Sequence, residues 1–272
     1  MNAKTLTCKV AGVGAWGANF ENWHDLQALL CGQPLPDKPQ KGPKPAIIPA
    51  NERRRAPLPV RLAVESSWQA VQHAQVEPAS LTNVFVSGLG DTDLTDYMCK
   101  VLASENKELS PTKFHNSVHN AAAGYWTIST NTMTAANSVA GYQESVSLAL
   151  FEAMVQCEAE GVPMLVTFYD APVSEVLKPL LENTHAFAFS LVLFPSVSDH
   201  GMAISATIRE AIAPEWPTLS AQSDYLQSLY TSNPCARVLS LAEMLMQQNA
   251  KHDAITMPLS EQTTISFERV QP

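Results

Sequence analysis

The chain has 272 residues, 46% of them hydrophobic and 16% charged, with a formal net charge of -9. That length is ample for one large domain or two small ones, and the acidic balance argues against a nucleic-acid binder, whose footprint is basic. No apolar run reaches the roughly 18 residues of a membrane span, and the opening MNAKTLTCKVAGVGAWG lacks the apolar core of a signal peptide, so a cytoplasmic protein is expected.

Thr5 to Val13 reads as a first strand running into a glycine-rich turn, Gly12 to Gly17. A helix is expected around Asn22 to Leu30. Eight prolines between Gln33 and Pro59 then argue against regular structure until the chain passes Pro59. This segment, 33–59, reads as a surface excursion within one domain, because too little chain precedes it to form a core alone. Leu62 to Val76 carries Val64, Trp68 and Val71 at helical spacing. Asn83 to Gly88 fits a short buried strand, and Asp91 to Ala103 a helix opened by its acidic first turn.

Asn116 to Thr130, rich in alanine and glycine, predicts another helix, and Thr132 to Asn137 a short strand. Ser145 to Glu160 is apolar or small on every face, the pattern of a helix in the centre of a domain. Pro163 to Tyr169 and Ala186 to Phe194 are continuous apolar strands of the kind covered on both faces. Helices at Asp224 to Tyr230 and Ala236 to Gln247 and a strand at Thr263 to Arg269 complete the series. Alternating strands and helices with buried strands define an α/β layered fold.

Several patterns invite chemistry. Gly12-x-Gly14-x-x-Gly17 after a strand has the spacing of a dinucleotide-binding turn. The acidic residue such a site needs about 20 residues on would fall in the proline-rich segment, so no cofactor is expected. His115 and His119 share a helical spacing but lack the further ligands of a metal site, and the reading is hydrogen-bonded histidines without metal. The five cysteines are scattered and never form a CxxC pair, which favours reduced thiols. Arg53-Arg54-Arg55 is a dense basic cluster on an acidic chain, either a solvated run or a docking point for an acidic partner. No GxSxG elbow is present.

The stretch SPTKFHNSVHNAAAGYWTI is the most specific signal. Pro111, Phe114, Ser117, Asn120, Ala123, Gly124, Thr127 and Ile128 reproduce the run that leads to the nucleophilic cysteine of β-ketoacyl synthases. Together with the opening GVGAWG, the ERRR segment before a helix and the PMLVTFYDAP strand, it makes the chain resemble β-ketoacyl synthase N-terminal-like proteins. These include chain-length-factor partners in bacterial aryl polyene biosynthesis. The resemblance implies a thiolase-like layered fold, N-terminal half only, with a mixed sheet covered by helices and residues 1–272 as a single domain.

Counting from Ile128 without a gap, the nucleophile position of the family falls on Gln143, with Glu144 beside it. A condensing enzyme needs a thiolate at a helix N-terminus to hold its acyl chain as a thioester, and neither side chain can do so. The family's C-terminal GT-x-T-x-x-x-D and K-x-x-x-G-H-T-like strings are not found between Ser196 and Pro272. The resemblance therefore implies a catalytically silent partner that heterodimerises with a complete β-ketoacyl synthase. Thr132 to Asn137, with Met133, would lie at the interface. Phe114, Ser117, Asn120, Tyr125 and Trp126 would line or cap the partner's acyl tunnel, limiting chain length by steric exclusion. An acyl carrier protein, being acidic, would meet Arg53, Arg54 and Arg55. Two other readings stand beside this one: a stand-alone acyl-thioester decarboxylase or hydrolase using Glu144 or a histidine as base, and a carrier-protein scaffold without effect on product.

Overall fold

The computed structural model describes residues 5–34, 42–246 and 253–270. Part of the proline-rich segment, residues 35–41, and the end of the last expected helix, at Gln247, lie outside the described residues.

One mixed sheet of eight strands organises the described chain: β1 (Thr5–Gly17), β2 (Thr82–Val86), β3 (Ala136–Val139), β4 (Met164–Asp170), β5 (Phe187–Pro195), β6 (Met202–Glu210), β7 (Ala254–Ser260) and β8 (Thr263–Arg269). Their order is β3-β2-β4-β5-β1-β6-β8-β7. β2 pairs in parallel with both β3 and β4, while every other neighbouring pair is antiparallel. Alternate residues of each strand enter cores on opposite faces. Val84, Val86, Val166 and Phe168 face one core, and Phe85, Leu165 and Tyr169 the other.

Helices α1 (Trp23–Leu30), α2 (Ala50–Arg53), α3 (Leu58–Ala74), α4 (Thr92–Ala103), α5 (Pro111–His115), α6 (Ala121–Thr130), α7 (Ser145–Glu160), α8 (Asp224–Ser232) and α9 (Leu239–Leu245) complete the series. The first face is covered by α1, α7, α8 and α9, the second by α3 and α6. The result is the thiolase-like arrangement expected, a mixed sheet between helical layers.

Local chemistry sets the boundaries. The side chains of Asn22 and Asp91 accept the Asp25 and Leu94 backbone N–H groups and so start α1 and α4. Pro59 lies in the first turn of α3, where its missing N–H costs nothing, so the helix begins at Leu58 rather than after the prolines. Four buried hydroxyls join α3 to the sheet. Ser66 pairs with Ser190 at 2.8 Å, Ser190 with Thr167 at 3.0 Å, and Thr167 with Ser67 at 2.7 Å.

Five expectations are corrected. The proline-rich segment is not without regular structure before Pro59: a single helical turn, α2, forms at Ala50–Arg53, where four consecutive residues carry no proline. Gly12 to Gly17 is not a turn but the second half of β1. A Cβ on Gly12 would fall 2.2 Å from the Ala70 carbonyl oxygen, and one on Gly14 2.0 Å from that of Ser66. These glycines admit the backbone of α3, not a pyrophosphate. The helix expected over Asn116 to Thr130 is broken: α5 ends at His115, and α6 starts at Ala121. Between them the Ser117 hydroxyl donates to the Phe114 carbonyl, a local bond that competes with helix continuation.

The strand expected at Thr132 is shifted to Ala136–Val139 because Thr132 and Thr134 donate their hydroxyls to the Pro78 and Leu81 carbonyls instead. Helix α7 is not enclosed on all sides, since Leu148 and Val155 are each 37% exposed one above the other. Two strands, β6 and β7, were not anticipated.

Candidate functional site

The carboxyl ends of the parallel strands β2, β3 and β4 deliver three loops to one edge of the sheet, the usual location of sites in α/β folds. A buried carboxylate organises them. Asp170, at the end of β4, is fully buried and accepts the Ser87 hydroxyl at 2.6 Å. It also accepts the backbone N–H groups of Leu89 at 3.1 Å and of Gly88 and Cys235 at 3.3 Å. Burial raises this carboxyl, and the donors only partly offset it. Burial, reinforced by Asp170, likewise drives the Cys235 thiol well up, so that thiol is a packed hydrophobe rather than a nucleophile.

The strand-to-helix turn between β3 and α7 contains Gln143. Its form is an elbow: Tyr142 takes a left-handed φ of 49°, and Gly141 N–H donates to the Ser145 hydroxyl at 3.0 Å. Gln143 and Glu144 are half-buried there, within one turn of the α7 N-terminus. The space beside this elbow is filled from within the chain. A Cβ on Gly88 would lie 2.6 Å from Pro234 Cβ and 3.0 Å from the Tyr142 carbonyl oxygen. Pro234 thus packs on Gly88 next to the turn, and its segment is pinned by Asn233, whose side chain accepts Ala236 N–H at 3.1 Å.

The other residues singled out from the sequence divide sharply. The ten residues from Pro111 to Asn120 are exposed with one exception, Asn116. Phe114 is 60% exposed, and Ser117 and Asn120 are on the same surface. Tyr125 is half-buried. Trp126 is fully buried, and its indole N–H donates to Asn83 Oδ1 at 3.0 Å, which makes it a core anchor of α6 on β2 rather than a surface wall. Thr132 is buried, Met133 is 95% exposed, and Asn137 is exposed on β3.

Arg54 and Arg55 are exposed. Arg54 bonds to Asn51 Oδ1 at 2.9 Å and Arg55 lies 3.6 Å from Glu52, whereas Arg53 is tied inward to the Pro45 carbonyl at 3.0 Å. Among the described residues no group of three or more His, Cys, Asp or Glu gathers to hold a metal, and no helix is long and apolar enough to cross a membrane.

Sequence reasoning missed Asp170, Pro234, Cys235 and Asn116. An acidic residue closing the apolar run PMLVTFYD was a visible signal for the first. Nothing local marked the second and third, whose neighbours are 65 or more residues away.

Set beside known proteins, this α/β layered fold with a strand–elbow–helix edge is that of the condensing-enzyme class. The chain belongs to the β-ketoacyl synthase N-terminal domain family, whose sequence model matches residues 23–253. No match was found among curated proteins. Solved structures resemble it over nearly its whole length. One is a ketosynthase (ApeO) in complex with its chain length factor (ApeC) from Xenorhabdus doucetiae, with TM-score 0.67 and 20% identity, covering 97% of this chain and 100% of that one. Another is the ishigamide ketosynthase/chain length factor, with TM-score 0.69 and 11% identity, covering 97% and 99%. A β-ketoacyl synthase from Burkholderia phymatum STM815 gives TM-score 0.64 at 12% identity, covering 98% and 100%. At these identities the likeness is one of fold.

Proposed function

We propose that this chain is a non-catalytic, chain-length-factor-type partner of a complete β-ketoacyl synthase in aryl polyene or related polyketide-like biosynthesis. The observation that carries the reading is the sheet edge formed by β3. Among the described residues it pairs only with β2, and large apolar side chains are left in solvent on the residues leading into it and on the neighbouring helix α6: Met133 is 95% and Ile128 79% exposed. An unpaired edge with an apolar border is a liability in a lone chain and an interface in a pair. Two of the solved structures above are themselves ketosynthase/chain length factor assemblies.

The vacated nucleophile position supports a silent role. Gln143 occupies the elbow, and Pro234 packs on Gly88 beside it. The partner-facing set is Phe114, Ser117, Asn120, Tyr125, Met133 and Asn137, with Trp126 and Thr132 supporting them from within. A carrier protein would approach through Arg54 and Arg55, with Arg53 holding the segment in place.

Co-expression with a complete β-ketoacyl synthase from the same organism, followed by size-exclusion chromatography with mass determination, is the test. The expected result is a 1:1 heterodimer whose condensing activity requires this chain. A lone monomer that turns over acyl thioesters by itself would replace this reading with the stand-alone enzyme.

A further inference from the structure

Away from the elbow, two cysteines meet inside the first core. Cys8 lies on β1 and Cys157 in the last turn of α7, and both are fully buried. The Cys8 Sγ is 3.6 Å from the Met154 carbonyl oxygen and 3.9 Å from Glu158 Oε1. Those two residues bracket Cys157 on the helix. Side chains of an α-helix lean toward its N-terminus, so the side chain of residue i+3 lies over the carbonyl of residue i. A sulfur resting on the Met154 carbonyl is therefore beside the Cys157 side chain. The Cys8 thiol is accordingly pushed far above its ordinary range, first by its hydrogen bond with Cys157, then by burial and by the charge of Glu158.

Glu158 leads from this pair toward the surface. It is half-buried, and its carboxylate accepts the Ser196 hydroxyl at 3.0 Å and the Ser196 backbone N–H in the turn between β5 and β6. The other two cysteines outside the elbow region, Cys31 and Cys99, are exposed, and Cys235 is packed against Asp170.

We propose that Cys8 and Cys157 form a redox-sensitive lock, closed as a disulfide by an oxidant of the peroxide class and opened by a thiol reductant. One thiol attacks a peroxide oxygen, the O–O bond breaks, and a sulfenic acid forms as one water leaves. The second thiol then attacks that sulfur, the S–O bond breaks, and a second water leaves as the S–S bond forms. Two thiols are oxidised and one peroxide is reduced. The bond would tie the end of α7 to β1 inside the sheet, while the other end of the same helix carries the elbow. Local opening at the Glu158–Ser196 side sets the rate, because a buried protonated thiol reacts only when uncovered. The lock does not depend on the partner reading.

The test uses the full chain carrying Cys31→Ser and Cys99→Ser, which leaves Cys8, Cys157 and Cys235. After hydrogen peroxide treatment without denaturant, non-reducing peptide mapping is expected to find the Cys8 peptide joined to the Cys157 peptide, with Cys235 still a thiol. The thermal midpoint should rise by roughly 5–15 °C, since the bond closes a long loop in the unfolded chain. Dithiothreitol should reverse both changes, and adding Cys8→Ala or Cys157→Ala should abolish both. Should either variant fail to fold, the mapping and the reversal on the parent chain still decide. Three intact thiols after peroxide, a bond formed only in urea, a bond to Cys235, or a joined chain whose midpoint is unchanged or lower would overturn the proposal.

Discussion

Trp126 illustrates how a side chain that looks poised for a tunnel serves the core. It is fully buried on β2, and its indole satisfies Asn83. Trp126→Ala should therefore cost about 3–5 kcal/mol in urea unfolding, from the cavity and the orphaned acceptor together. A loss below about 1 kcal/mol would show that the ring is not an anchor. Product-length effects are thus better sought at Phe114, which is exposed. Asp170 works through a different balance. Burial raises its carboxyl above an unfolded value of about 3.9. The folded chain then keeps that proton at pH values where the unfolded chain has released it. Its contribution to stability is complete below the unfolded value and declines as pH rises through the folded one. Asp170→Asn should lack this decline when unfolding midpoints are compared across that window, although it is less stable overall because its amide confronts backbone donors. Parallel slopes in the two proteins would refute the assignment.

At the level of elements, β3 is short and one-sided. Ala135 and Val139 direct their carbonyls to the backbone N–H groups of Asn83 on β2 and of Ser87 just beyond it, so the alternating residue Ser138 turns its own N–H toward the open edge. Ser138→Pro removes that donor without touching the β2 ladder. It should weaken heterodimer formation at least tenfold while leaving the thermal midpoint of the isolated chain nearly unchanged; an intact heterodimer would mean that the edge is not the interface. The helices with clear caps and the continuously apolar strands were legible in the sequence, as at Asn22, Asp91, PMLVTFY and AFAFSLVLF, because their boundaries are set by nearby residues. The break at Ser117, the shift of β3 and the continuation of β1 through its glycines were not. The last two depend on distant partners, Thr132 on Pro78, Thr134 on Leu81 and Gly14 on Ser66, whereas the break at Ser117 turns on a local bond to Phe114 that helical spacing alone does not reveal. β6 did carry a readable alternation, with Ile204 and Ala206 inward and Ser205 and Thr207 between them, but its edge-like polarity masked it. Gln143 lies at the elbow before α7, while the carboxylate and proline that hold the loops beside it came from chain segments remote in sequence.

For the whole molecule, burial and partnership are linked. The same chain builds two cores across its sheet yet leaves an apolar border along one edge, so a partner that covers the border adds stability by mass action. The two ends of the sheet differ in kind. At the far end, β7 carries Pro258, which has no N–H to offer, and its pairing with β8 is interrupted between Pro258 and Ser260. The Pro258 carbonyl is also engaged by the Ser147 hydroxyl of α7. One end can therefore accept another strand and the other discourages it. On the partner reading, a strand added at β3 would occupy the receptive end of this chain's sheet and leave its guarded β7 end outward, so this sheet would not go on growing from that side into a fibre.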